Sequence, residues 1–221
     1  MKMIWFLFGF CLFVFMPSLF YVLFSLPPEQ TQGFVQKIFF FHVPSAFAMY
    51  LLAVVGMIFS ILYLFLKKNF YDQLARANLY IACLFGALVM ISGPIWAKPI
   101  WGVYWTWDPR LTTSLILFVL LIAYVVVRQL FHESSPQKAA RIGAVISIFA
   151  VVDIPLVHLS AKLLRGLHPS VLSNPEGLPD SYRTGLEMMV LGFFLLAALL
   201  VFVSFKLIHL NDRAQQLEGE F

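Results

Sequence analysis

"LTTSLILFVLLIAYVVVRQL", residues 111–130, runs for seventeen residues before its first charge, Arg128. A helix rises about 1.5 Å per residue, so a segment of this length crosses the roughly 30 Å hydrocarbon core of a bilayer. The segment lacks the polar–apolar alternation of a membrane barrel strand, and an unbroken apolar run favours a helix, which satisfies its backbone hydrogen bonds internally. Outward from it lie five more runs, at 3–24, 43–66, 75–95, 141–160 and 184–208. The run at 141–160 is the weakest, because Asp153 and Pro155 interrupt it. Composition agrees: of 221 residues, 61% are hydrophobic and 12% charged, where soluble domains are about a quarter charged. The reading is an all-α polytopic membrane protein with six transmembrane helices, a single integral domain over 1–221.

Six spans leave almost no chain for an aqueous domain, so function must sit in short loops or between helices. The formal charge of +4 is not gathered into a basic patch on such a domain, which argues against nucleic acid. No Walker motif is present, so any ATP hydrolysis belongs to another chain. Cys11 and Cys83 fall inside predicted spans, with no CxxC pair, and read as packing residues. The first span is too long for a signal-peptide core and no A-x-A site follows it, so it is expected to be retained.

Orientation follows from Lys and Arg beside the spans. Lys2, Lys67, Lys68, Arg76, Arg128, Lys138, Arg141, Lys206 and Arg213 fall on one side, against Lys37, Lys98, Arg110, Lys162, Arg165 and Arg183 on the other. This nine-to-six bias places both termini in the cytoplasm. The inner connections, 67–73, 132–140 and 211–221, read as solvated linkers, and His132 and His209 as solvated histidines of that side.

The outer connections are longer, and binding residues concentrate on such loops. In 25–47, Phe34, Val35, Ile38, Phe39 and Phe41 interleave with Gln36 and Lys37 after Pro27-Pro28. That pattern predicts an interfacial helix delivering His42 to the membrane surface, with Pro44 in the first turn of the second span. In 160–185, "GLHPSVL" carries His168, and "SNPEGLPDS" reads as an irregular excursion. In 93–113, "WGVYWTWDPR" (101–110) gathers three tryptophans beside a carboxylate. Asp108 precedes Pro109, which predicts an N-cap for the fourth span. If the segment before the cap is helical, Trp101, Trp105 and Asp108 share a face. If it is extended, the shortness of the loop still brings the rings together.

Tryptophan and tyrosine favour membrane interfaces, so Trp96, Trp101, Tyr104, Trp105 and Trp107 could form an aromatic belt. A belt spreads over many helix ends, however, and here every tryptophan but Trp5 lies in one loop. The sharper reading is a platform for a flat apolar ligand. His42 and His168 flank it on the same side, and imidazole is a common axial ligand of haem iron. His158 is either a packing residue or a substitute ligand. Asp153, the one acid well inside a span, either accompanies a kink at Pro155 with its carboxyl satisfied locally or has a functional role. The outer cations are either solvated loop charges or partners for the carboxylates of an anionic amphiphile.

"WGVYWTWDPRLTT" resembles the signature W-G-x-x-W-x-W-D-x-R-L-T of tryptophan-rich haem-handling membrane proteins in system I cytochrome c biogenesis, and within them the cytochrome c maturation protein C family. "FFHVPSAF" is similar to that family's H-V-P-x-A motif, and "GLHPS" to its second histidine motif. The likeness covers nearly the whole chain. It departs where family members often carry tryptophans before the second histidine, since this chain has "AKLLRGLHPS". The resemblance implies that His42 and His168 are axial ligands of a non-covalent b-type haem. It also implies that Trp101, Gly102, Trp105, Trp107 and Asp108 present the haem, with Arg110, Lys98 or Arg165 near the propionates. It further implies a bacterial inner-membrane location and transfer of haem, without catalysis by this chain, to a periplasmic haem chaperone (CcmE). The remaining implied partners are ABC transporter subunits (CcmA, CcmB) and a small single-span protein (CcmD). The rival readings are a bis-histidine haem protein oxidising quinol and a cofactor-free transporter subunit.

Overall fold

The computed structural model describes residues 2–131, 135–163 and 178–218. Its helices are α1 (Lys2–Phe20), α2 (Phe39–Leu66), α3 (Asn69–Trp101), α4 (Pro109–Leu130), α5 (Pro136–Leu163) and α6 (Asp180–Glu218). All six contain stretches long and apolar enough to cross a membrane, and the chain is a multi-pass membrane protein. α2 and α3 form the most extensive pair, joined by two residues. Lys67 there adopts the left-handed conformation at φ 55° and returns its amide to the carbonyl of Tyr63. Gly56 lets the two helices close up, since a Cβ on it would lie 2.5 Å from Cγ of Leu79. α2 also packs on α5 and α6, α4 packs on α5, and α1 leans chiefly on α6. Met49, Leu79, Phe85, Leu117, Leu121 and Met189 fill the interior, while Phe13 and Phe65, 76% and 80% exposed, belong to lipid-facing sides.

The elements depart from the expected spans in instructive places. α3 extends six residues beyond each end of the predicted 75–95, through Pro94 and Pro99. Proline in a membrane helix is tolerated where neighbouring groups re-satisfy the freed carbonyls. The helix instead stops at Gly102, whose φ of +76° suits glycine and whose amide bonds the carbonyl of Lys98 at 3.0 Å. α6 likewise continues ten residues past the expected end at 208. α5 runs unbroken through Pro155. Asp153 is buried within it, and its Oδ2 has no hydrogen-bond partner among the described residues, contrary to a carboxyl fully satisfied locally.

The interfacial helix is a single 3-10 turn, Phe34–Ile38, feeding directly into α2. Phe34 is exposed, as an apolar side chain turned to lipid would be, whereas Gln36 and Lys37, expected on the polar side, are buried. Lys37 donates from Nζ to the carbonyl of Leu23 at 2.6 Å, in the π turn Tyr21–Ser25 that ends the first span. Cations are favoured at helix C-termini because the last carbonyls are unpaired and the helix dipole is negative there. Pro44 accordingly sits beyond the first turn of α2, and Ser45 caps the nearby carbonyl of Phe41.

The inner connections are not ordinary linkers. Arg128 of α4 pairs with Asp72 of α3 at 2.7 Å, and Arg76 of α3 with Asp212 of α6 at 2.8 Å. Gln73 donates to the other oxygen of Asp212 and bonds the ring of His209, which stacks on Phe205. Arg76 and Arg128, counted among the charges that set orientation, are therefore buried and paired, and His209, read as solvated, is partly buried, hydrogen-bonded and stacked. His132 lies outside the described residues.

Candidate functional site

His42 stands one turn into α2, half-buried against the outer half of α3. Its Nδ1 lies 2.9 Å from the hydroxyl oxygen of Ser92. Gly93 makes room for the ring, since a Cβ there would lie 3.3 Å from Cε1 of His42. Trp96 meets the imidazole edge to face at a centroid separation of 5.9 Å and touches Phe39 on another side. Two consecutive turns of α3 thus supply a hydrogen bond, a gap and a wall.

Trp96 is fixed in turn by the first outer loop. Its indole Nε1 donates to Oε1 of Gln32 at 3.1 Å, in the turn where Gly33, at φ +60°, returns its amide to Glu29. The Glu29 carboxylate accepts from the hydroxyl of Thr31 at 2.6 Å and from its amide at 2.8 Å. These bonds, the Thr31 hydroxyl foremost, hold the Glu29 carboxyl below the usual carboxylate range.

The tryptophan signature divides at Gly102. Trp101 is the last residue of α3, so the helical alternative holds only up to it, and residues 103–108 are irregular. Trp105 and Trp107 meet edge to face at 6.0 Å. Trp107 and Tyr104, 77% and 60% exposed, offer apolar faces outward. Indole Nε1 of Trp105 and Oγ1 of Thr106 are buried without a hydrogen-bond partner among the described residues. Buried polar atoms normally find partners, so these two are donors suited to a ligand's acceptors.

Asp108 closes the loop as predicted. Its carboxylate accepts the amide of Arg110 at 2.9 Å, and its carbonyl accepts both the amide and the hydroxyl of Thr112. Arg110 is the second residue of α4, partly buried. Lys98 is not an open counter-charge: Nζ donates to the carbonyl of Gly102 at 2.8 Å and lies over the ring of Tyr104. His158 is exposed on α5, with its ring on Tyr50 and its Nδ1 at the carbonyl of Ile154. It does not join the cluster around His42. His168 and Arg165 lie outside the described residues.

The structure therefore joins His42, Ser92, Gly93 and Trp96, and separately Trp105 with Trp107, in the loop that α3 opens into and Asp108 closes. Ser92, Gly93 and Gln32 are the members that sequence reading missed. Ser92 and Gly93 show only as a small-residue pair before Pro94, inside the expected third span, and nothing local marks Gln32.

Comparison with known proteins identifies the family. The family model for Heme exporter protein C (CcmC) matches residues 1–219. The Heme exporter protein C of Bradyrhizobium diazoefficiens is 30% identical over 195 residues, 87% of this chain and 73% of that one. Its Escherichia coli K12 counterpart is 28% identical over 194 residues, 81% and 73% of the two chains. A ccmC-like mitochondrial protein of cytochrome c biosynthesis from Marchantia polymorpha is 30% identical over 168 residues, 76% and 70%. The chain belongs to the heme exporter protein C family.

Proposed function

We propose that this member of the heme exporter protein C family binds haem at the outer face of the bacterial inner membrane and passes it to a periplasmic haem chaperone during cytochrome c maturation. Haem is a flat apolar disc with two carboxylates and an iron, and the outer end of the bundle offers chemistry for each. Trp107 and Tyr104 give exposed aromatic faces for the disc. His42 supplies an imidazole for the iron, and His168 is proposed as the opposing ligand. Arg110 is the nearby cation for propionates, because Lys98 is engaged in capping α3. The Trp105 and Thr106 donors, without a partner among the described residues, add acceptor-seeking groups in the same loop.

The observation that carries the reading is that α3 serves both groups: its face braces His42 through Ser92 and Trp96, and its end opens into the aromatic loop. A rigid helix between ligand and platform suits a site that must hold a large disc with one edge accessible. The chaperone is read as docking at that edge, with the ATPase, its membrane subunit and a small single-span protein as the wider assembly. Haem is the cargo, and no covalent step is assigned to this chain.

The test is hand-over. Cells producing the wild-type chain with the chaperone should accumulate chaperone bearing covalent haem, and His42→Ala or Trp107→Ala should reduce that yield at least tenfold at equal membrane abundance. Undiminished transfer in both variants would reject the proposal.

A further inference from the structure

We propose that Ser92 is a positioning residue that sets the tautomer of His42, placing the proton on Nδ1 and the coordinating lone pair on Nε2. The inference rests on the reading of His42 as an iron ligand and adds a residue to it.

A serine hydroxyl has one O–H to donate and two lone pairs to accept with. The Ser92 hydroxyl lies 2.6 Å from the carbonyl of Leu88, one turn back on α3, a distance for a strong O–H···O bond. A carbonyl can only accept, so the serine proton is committed to Leu88. The same oxygen lies 2.9 Å from Nδ1 of His42. With its proton spent, it can only accept there, so Nδ1 must be the protonated nitrogen. In a neutral imidazole the lone pair then resides on Nε2.

The rest of the pocket maintains this state. Gly93 admits the ring against α3, with no side chain of its own to displace Nδ1 from Ser92. Trp96 blocks rotation from the next turn, and Gln32 anchors that indole. A metal-ligating histidine commonly donates its other ring N–H to an acceptor, which orients the ring and raises its basicity. The acceptor here is a serine oxygen made fully acceptor-like by its own back-bond to the helix.

The test begins with haem-free, ¹⁵N-histidine-labelled protein in detergent, at a pH where the ring is neutral. The His42 signal should report the Nδ1–H tautomer, and an Nε2–H tautomer would overturn the inference without any variant. Ser92→Ala should then lose the Nδ1–H preference, bind added haem about 10–100-fold more weakly and shift the haem midpoint potential positive, because a less basic imidazole stabilises ferric iron less. Ser92→Thr, which keeps the hydroxyl, should restore all three. Ser92→Ala with wild-type affinity and potential would overturn the role even where His42→Ala loses haem. Full haem binding by His42→Ala would instead overturn the ligation reading, and this inference with it.

Discussion

Replacing Asp108 by alanine removes the acceptor that holds the amide of Arg110, and an N-cap of this kind contributes about 1 kcal/mol. Thermal unfolding in detergent should show that loss for Asp108→Ala and almost none for Asp108→Asn, since asparagine caps equally well. Equal losses in the two variants would mean that the charge, not the cap, matters for stability. Gly102→Ala should cost about 1 kcal/mol as well, because its φ of +76° is a conformation that a Cβ disfavours. The Asp108 cap is legible in sequence because an aspartate before a proline acts on the amides that directly follow it. The hydrogen bond between His42 and Ser92 is not legible, since fifty residues separate the partners. It exists only through the way α2 lies on α3.

At the scale of elements, α3 reaches from the buried ion pairs at one end of the bundle to the aromatic loop at the other. Arg128 and Asp72 are both largely buried, and removing one partner of a buried pair leaves an uncompensated charge, at a cost of about 3–5 kcal/mol. Asp72→Asn should therefore lower the unfolding temperature sharply in detergent, while joining it with Arg128→Met should recover much of the loss. A single replacement as stable as wild type would show that the pair contributes nothing. The hydrophobic centres of all six helices were legible, because length and unbroken apolarity suffice in a bilayer. Several of their ends were not, although those at Leu66 and Leu130 fall where expected. α3 carries on past the expected end at 95, through Pro99 to Trp101, and the polar tail after 208 looks like a linker, yet Asp212 docks it on α3 as helix. Lys37 misled in the same way, since a loop lysine in sequence is a helix cap in space.

For the whole molecule, burial of Arg76 and Arg128 leaves seven of the nine inner-side cations to set orientation, and burial of Lys37 leaves five of the six outside. The cytoplasmic placement of both termini is thus proposed on a narrow margin, and labelling checks it directly. With Cys11 and Cys83 replaced, a cysteine at Tyr104 should react with a membrane-impermeant maleimide in intact spheroplasts, and one at Lys68 only after permeabilisation. The opposite pattern would invert the topology and remove the site from the periplasm. The bundle's class and the tryptophan signature were readable from sequence because both are local patterns. The bracing of His42 was not, because it depends on contacts among three segments distant along the chain. The most direct measurement is the absorption spectrum of the purified protein from haem-replete cells, wild type beside His42→Ala at matched concentration. The account predicts a Soret band in the wild type that is mostly lost in the variant; a colourless wild type, or equal bands in both, would contradict it.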